Sequence, residues 1–224
     1  MSRVAIALGV LLASGCALDP APRKLLDGLK AGALNAELLA PDATLVTADG
    51  AVTGKAAVAS GLAALHPPAS AAVAAHHDVA RVDLADRSML FAKSDGRGHV
   101  TTVLLFPPSG DDPIPPAVKA YQEAWTQPYP YALLEHAWSA RGVYQDPLVD
   151  AHGRAEVGRM IADLHKSYDD LAMSNVGTLQ LLPGGFFTFG WRFKMGSFLI
   201  NGLDVGFLDA EGKVALISGF FSPR

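Results

Sequence analysis

Ten residues near the middle of the chain, Pro107–Pro116 (PPSGDDPIPP), hold five prolines together with Ser, Gly, Ile and two Asp. Proline lacks a backbone N–H and has a fixed φ, so neither a helix nor a central strand runs through such a segment. It acts as a linker, 107–116, between two halves of the 224-residue chain, 23–106 and 117–224. Each half is long enough for a small domain with its own core. Half of all residues are hydrophobic and only 18% are charged, which excludes a disordered chain. Eighteen Lys and Arg against 22 Asp and Glu leave no basic surplus to neutralise phosphates, so no nucleic acid is expected as a partner.

The chain opens MSRVAIALGVLLASGC: one basic residue, Arg3, an apolar run from Val4 to Leu12, then small residues and Cys16. That run is shorter than the roughly 20 residues a membrane-spanning helix needs, and it suits the apolar core of a secretory signal. Ala13-Ser14-Gly15-Cys16 resembles a bacterial lipobox. The resemblance implies removal of residues 1–15 and lipidation of Cys16, with 16–22 as a lipidated tether. It places the protein on a bacterial cell envelope, at the outer membrane or the periplasmic face in a Gram-negative host. The alternative is an ordinary secretory signal with an incidental cysteine. Cys16 is the only cysteine, so no intramolecular disulfide can form.

In the second half, apolar residues recur at helical spacing in VKAYQEAWTQ, in YALLEHAWSA and from Arg154 onward, where Val157, Ile161, Leu164 and Tyr168 share a face. Strand signals follow at Leu179–Leu182, Phe186–Met195, Phe198–Leu208 and Val214–Phe221, separated by PGG, MGS and DAEGK. This order predicts an α+β layout, one curved antiparallel sheet wrapped on helices. The first half repeats the order more loosely. Arg23–Leu39 and Lys55–Leu65 read as helices, and Ala43–Val52, Ala71–Leu84, Ser88–Lys93 and His99–Phe106 as extended, with no clear final strand. TADGAVTGKAAV (47–58) echoes YQDPLVDAHGRAEV (144–157), which points to a tandem duplication.

A-Y-x-x-A-W (120–125), Ala137-Trp138, VYQDPLVDAHGR (143–154), W-x-F (191–193) and GLDVGFLDAEGKV (202–214) closing on SGFF (218–221) together resemble the SnoaL-like, ketosteroid-isomerase-like branch of the nuclear transport factor 2-like superfamily. The resemblance covers the second half end to end and the first half as a degenerate copy. It implies two tandem cone-shaped α+β barrels of the cystatin-like kind, each enclosing an apolar pocket. Members that dimerise do so sheet to sheet, which would make a tandem chain an intramolecular pseudo-dimer.

The resemblance also implies a chemistry, in which a carboxylate base moves a proton beside a carbonyl while a tyrosine and a neutral aspartic acid stabilise the oxyanion. Carried over residue by residue, Asp146 is the base, Asp204 the oxyanion aspartate and Tyr121 the tyrosine. Asp204 would have to stay protonated and Asp146 ionised near neutral pH. Each residue also has a plain structural role open to it: Asp146-Pro147 as a turn, Gly202–Asp204 as a sheet segment, Tyr121 as core. Trp125, Trp138, Trp191 and Phe193 are expected in the core and pocket wall. Placing Gly54 on Gly153 puts Thr47 where Asp146 stands, so the first copy is expected to be non-catalytic, a packing partner or accessory pocket.

The seven histidines show no metal-ligand spacing. His76 and His77, on a strand, would point to opposite faces, and His165 would at most reach a pocket rim. No metal or other cofactor is expected. The expected function is binding of a small apolar molecule, steroid- or polyketide-like, by an envelope-anchored protein. Isomerase or cyclase-type proton transfer and a non-catalytic interaction module are the alternatives.

Overall fold

A computed structural model describes residues 18–168 and 170–222; Cys16, the expected lipidation site, lies outside them. One compact unit is built on Ala17–Gly110 and a second on Asp111–Leu179 with Gly184–Arg224. No helix among the described residues is long and apolar enough to cross a membrane.

The first unit opens with helix α1 (Pro20–Lys30), which starts earlier than its apolar spacing predicts because Asp19 caps it. The Asp19 carboxylate accepts from the Ala21 N–H at 2.9 Å, and Pro20 occupies the first turn, where its missing N–H is no loss. The helix ends at Lys30, well before Leu39, as Gly32 turns to a φ of 69°. Strands β1 (Leu39–Thr47) and β2 (Gly50–Thr53), helix α2 (Lys55–Ala63), and strands β3 (Val73–His76), β4 (Val79–Asp83), β5 (Met89–Ser94) and β6 (Val100–Phe106) follow. Leu25, Leu26 and Leu29 of α1 pack with Leu62 of α2 and with Leu45, Val82 and Leu90 of the sheet.

The second unit has three helices, α3 (Pro116–Ala124), α4 (Tyr131–Ala137) and α5 (Arg154–Ser167). Its strands are β7 (Trp138–Gln145), β8 (Asp150–His152), β9 (Ala172–Leu182), β10 (Phe186–Met195), β11 (Phe198–Leu208) and β12 (Val214–Phe221). The last three strands have the bounds their sequence predicts. β9 runs seven residues further toward the N-terminus than expected, because Ala172–Thr178 is nearly all exposed and carries no apolar alternation.

Both sheets have the same strand order: β2-β1-β6-β5-β4-β3 and β8-β7-β12-β11-β10-β9. Neither is wholly antiparallel, since β1 pairs with β6, and β7 with β12, in parallel. The two sheets also match in register. Thr44 pairs with Thr53 and Leu45 with Val52 in the first, as Val143 with His152 and Tyr144 with Ala151 in the second. Each parallel pair carries an irregularity at the same place, between Leu39 and Thr44 and between Trp138 and Val143. Gly54 N–H donates to Ala43 O just as Gly153 N–H donates to Gly142 O, both at 2.8 Å.

The first half therefore does have its full strand set, against the expectation of a missing one. The apparent single strand Ala71–Leu84 is a hairpin. It turns at His77, whose φ is 47°, and Asp78, without the glycine or proline that marks most such turns. His77 is accordingly a turn residue, not the strand neighbour of His76.

Candidate active site

Five side chains from four elements of the second unit meet at one end of a cavity. α3 contributes Tyr121, β7 and the turn after it contribute Tyr144 and Asp146, β10 contributes Trp191 and β11 contributes Asp204. All five line the same cavity, which holds about 800 Å³ of atom-free space counted out to its mouth. Apart from Tyr168, the rest of its walls is apolar, including Leu164, Met173, Phe193 and Ile200.

The strand register explains how the acids converge. Asp204 pairs across the sheet with Gly219, and a Cβ at Gly219 would lie 3.1 Å from Asp204 Oδ1 and 3.3 Å from the Asp146 Cβ. Glycine thus leaves the two aspartates side by side over β12. Trp191 pairs with Gly202, and a Cβ there would fall 2.1 Å from the indole ring. The ring lies across Gly202 and reaches along β11 to Asp204.

Asp204 is 1% exposed. Its Oδ1 accepts from the Trp191 indole N–H at 2.7 Å and its Oδ2 from the Tyr121 hydroxyl at 3.2 Å. Burial pushes its pKa up to about 7; the two donors pull it down, and the nearby Asp146 charge pushes it further up. Burial, with the charge of Asp204, also raises Tyr121 well above the ordinary tyrosine value. Trp191 occupies Oδ1, so the acidic proton of neutral Asp204 sits on Oδ2, facing Tyr121. The Tyr121 O–H is then free to turn toward the cavity.

Asp146, 6% exposed, is held by three donors. The amides of Leu148 and Val149 donate to Oδ1 at 2.7 and 2.8 Å, and the Tyr144 hydroxyl donates to Oδ2 at 2.8 Å. The turn role and the site role of Asp146 are therefore one arrangement: one oxygen caps the turn and the other lies with Tyr144 at the cavity. Burial and the Asp146 charge raise Tyr144 far above its usual range. Tyr144 is a site residue that the sequence reading missed, although it lies two positions from Asp146 and hence on the same side of an extended chain.

Trp125, Trp191 and Phe193 line the cavity as expected. Trp138 does not: it is fully buried behind Tyr121, ring centroids 5.2 Å apart, because the chain passes from α4 into β7 at that residue. The Trp125 indole N–H lies near the Tyr121 hydroxyl and slightly favours its ionised form, yet no atom meets that N–H at hydrogen-bonding geometry. His165 contacts the Trp125 carbonyl oxygen at 3.1 Å and does not line the cavity. Among the described residues no group of three or more His, Cys, Asp or Glu is arranged to hold a metal ion.

In the first unit the matched register positions carry different chemistry. Thr47 stands where Asp146 does and accepts from the Asp49 amide at 3.2 Å, keeping the turn without the carboxylate. Leu45 replaces Tyr144. Leu90, paired with Leu105, replaces Asp204. Both leucines are buried.

No family model matches the sequence, and neither does any curated protein. About half of the chain is similar to several solved structures. One is a candidate isomerase of the SnoaL-like family from Agrobacterium tumefaciens, 26% identical, covering 48% of this chain and 95% of that one with a TM-score of 0.44. Another, from Methylobium petroleophilum, has a cystatin-like fold and unknown function; it is 13% identical over 48% of this chain and 75% of its own, TM-score 0.44. A candidate polyketide cyclase from Sinorhizobium meliloti is 12% identical over 47% of this chain and 94% of its own, TM-score 0.40.

Proposed function

We propose that the second unit binds a small, largely apolar molecule whose polar end rests against Asp146 and Asp204, and that acyl groups on Cys16 hold the protein at the bacterial envelope. The observation that carries the binding reading is the pairing of two carboxyl groups at one pole of an otherwise apolar cavity. Apolar walls supply affinity through area removed from water, about 25 cal/mol per Å², and the few polar groups fix the ligand's orientation.

A second reading, proton transfer beside a carbonyl, is favoured by the neutral form of Asp204 that a pKa of about 7 allows next to Asp146. In that reaction Asp146 Oδ2 takes a proton from the carbon next to the carbonyl, and the C–H electron pair becomes the C=C of an enolate. The enolate oxygen accepts from Tyr121 O–H, itself backed by the Asp204 proton, and Asp146 returns its proton to carbon. Three donors already engage Asp146, so a substrate proton competes with Tyr144 for Oδ2. Binding therefore stands first.

The test is a fluorescence titration with a phenolic steroid of the equilenin type, on wild type and Asp204→Asn. Micromolar binding that the substitution alters strongly supports the reading. No binding to either protein excludes a phenolic, steroid-like ligand. For the second reading, deuterium uptake at the carbon next to a bound ketone's carbonyl should vanish in Asp146→Ala; uptake that persists excludes Asp146 as base.

A further inference from the structure

The proposed binding reading leaves the charge of the ligand open, and the cavity's own electrostatics speak to it. Among the described residues that line it are two carboxyl groups and no Lys, Arg or His. Both carboxyls are buried, so water screens them poorly. Four rings of the lining meet at near right angles in series: Trp125 to Phe193 at 85°, Phe193 to Trp191 at 81°, and Trp191 to Phe221 at 85°, with centroids 5.5–6.5 Å apart. All four rings line the cavity, and the π face of an aromatic ring carries partial negative charge. Aromatic walls at right angles, closed by carboxylates, are the surroundings in which quaternary and alkyl ammonium groups are held.

We infer, resting on the binding reading, that the cavity takes a hydrophobic amine in its cationic form, with the ammonium group between the Trp125–Phe193–Trp191–Phe221 rings and the Asp146–Asp204 pair. A neutral or phenolic ligand requires Asp204 to keep its proton, whereas a cation favours its release. The two ligand classes therefore respond to pH in opposite senses around the value of about 7 at which Asp204 titrates. The titratable groups facing Asp204 are Tyr121 on α3, Tyr144 on β7 and Asp146 in the turn that follows. Both tyrosines are shifted upward and stay neutral through this range.

The experiment compares benzyltrimethylammonium, whose charge does not change with pH, with neopentylbenzene, its uncharged carbon isostere. Quenching of tryptophan emission in the purified protein is titrated at pH 5.5 and 8.5. The cation should bind at least about tenfold more tightly than the isostere at pH 8.5, and the advantage should shrink several-fold at pH 5.5. Asp146→Asn should reduce the advantage at both pH values, and a far-ultraviolet circular dichroism spectrum checks that this variant is folded. Equal affinities at pH 8.5, or preference for the isostere, overturn the inference while leaving the cavity a binding site. An advantage that does not change with pH excludes the Asp204 charge and overturns the paired-carboxylate account. If neither compound binds and the phenolic steroid fails as well, the binding reading itself falls.

Discussion

Replacing Asp204 with Asn should make the second unit more stable relative to wild type as the pH rises, and the size of the effect follows from the site. Asp204 titrates at about 7 in the folded protein because it is buried, against donors that pull the value down. In an unfolded chain an aspartate titrates near 3.9. Between those values the folded state holds a proton that the unfolded state has released, so stability falls with rising pH by about 1.4 kcal/mol per unit. The fall begins above the unfolded value, amounts to about 2 kcal/mol between pH 5.5 and 7, and levels off above the folded value. Asn has the same shape and cannot ionise, so its lost hydrogen-bonding capacity is a constant offset while the pH-dependent part disappears. The other shifted groups are silent in this window. Glu37, held down by its hydrogen bond from Lys55, and Asp86, held down by Ser88, contribute stability that is lost only in acid. Tyr121 and Tyr144 act only above the normal tyrosine range. Urea unfolding followed by tryptophan emission is a clean assay, because Trp125, Trp138 and Trp191 are the only tryptophans and all lie in the second unit. A difference in unfolding free energy between variant and wild type that stays constant from pH 5.5 to 8 would refute the reasoning.

Two further substitutions probe the supports of the site. Gly202→Ala places a methyl group against the Trp191 ring, which must swing away from Asp204, and should lower stability by about 1–3 kcal/mol and weaken ligand binding; an unchanged thermal midpoint would show that the ring does not depend on that gap. Tyr144→Phe removes the hydroxyl donor from Asp146 Oδ2 but leaves both amide donors, with an expected loss of about 1.5–3 kcal/mol in urea unfolding. If Tyr144 does compete with a substrate proton, the same variant should exchange carbon-bound deuterium faster than wild type, and a slower exchange would exclude competition.

Much of the fold is legible in the sequence because its strands are long and aromatic and its turns carry glycine. Phe186–Met195 and Phe198–Leu208 declare themselves on both counts, with Gly196 and Ser197 between them. Legibility fails where the signal is weak for a physical reason. The His77–Asp78 turn takes its positive φ at a histidine, so a hairpin reads as one long strand. Ala172–Thr178 is a strand exposed at every residue but Met173, without a period to detect. At the site, Asp146, Asp204 and Tyr121 are found through family resemblance. Trp191 reads as wall, but its hydrogen bond to Asp204 depends on the bare backbone of Gly202 across the sheet, which only the register discloses. Tyr144 was within reach, since a tyrosine two residues before a suspected acid on an extended segment shares its side.

The two units together argue that Asp204 is not there for the fold. Their sheets have the same order, the same register and the same irregularity, yet the position of Asp204 is Leu90 in the first and that of Tyr144 is Leu45. A leucine at such a position adds to the core: Leu90 is fully buried beside Val82 and Ala92. A carboxyl at the same place, 1% exposed, opposes folding at every pH above the ordinary aspartate value. The second unit bears that penalty although a version of its scaffold with leucine at the Asp204 position exists in the same chain. Destabilising polar groups that converge on a cavity, where the fold offers an apolar solution, are the physical mark of a working site. The first unit has the apolar solution; the second has the cavity.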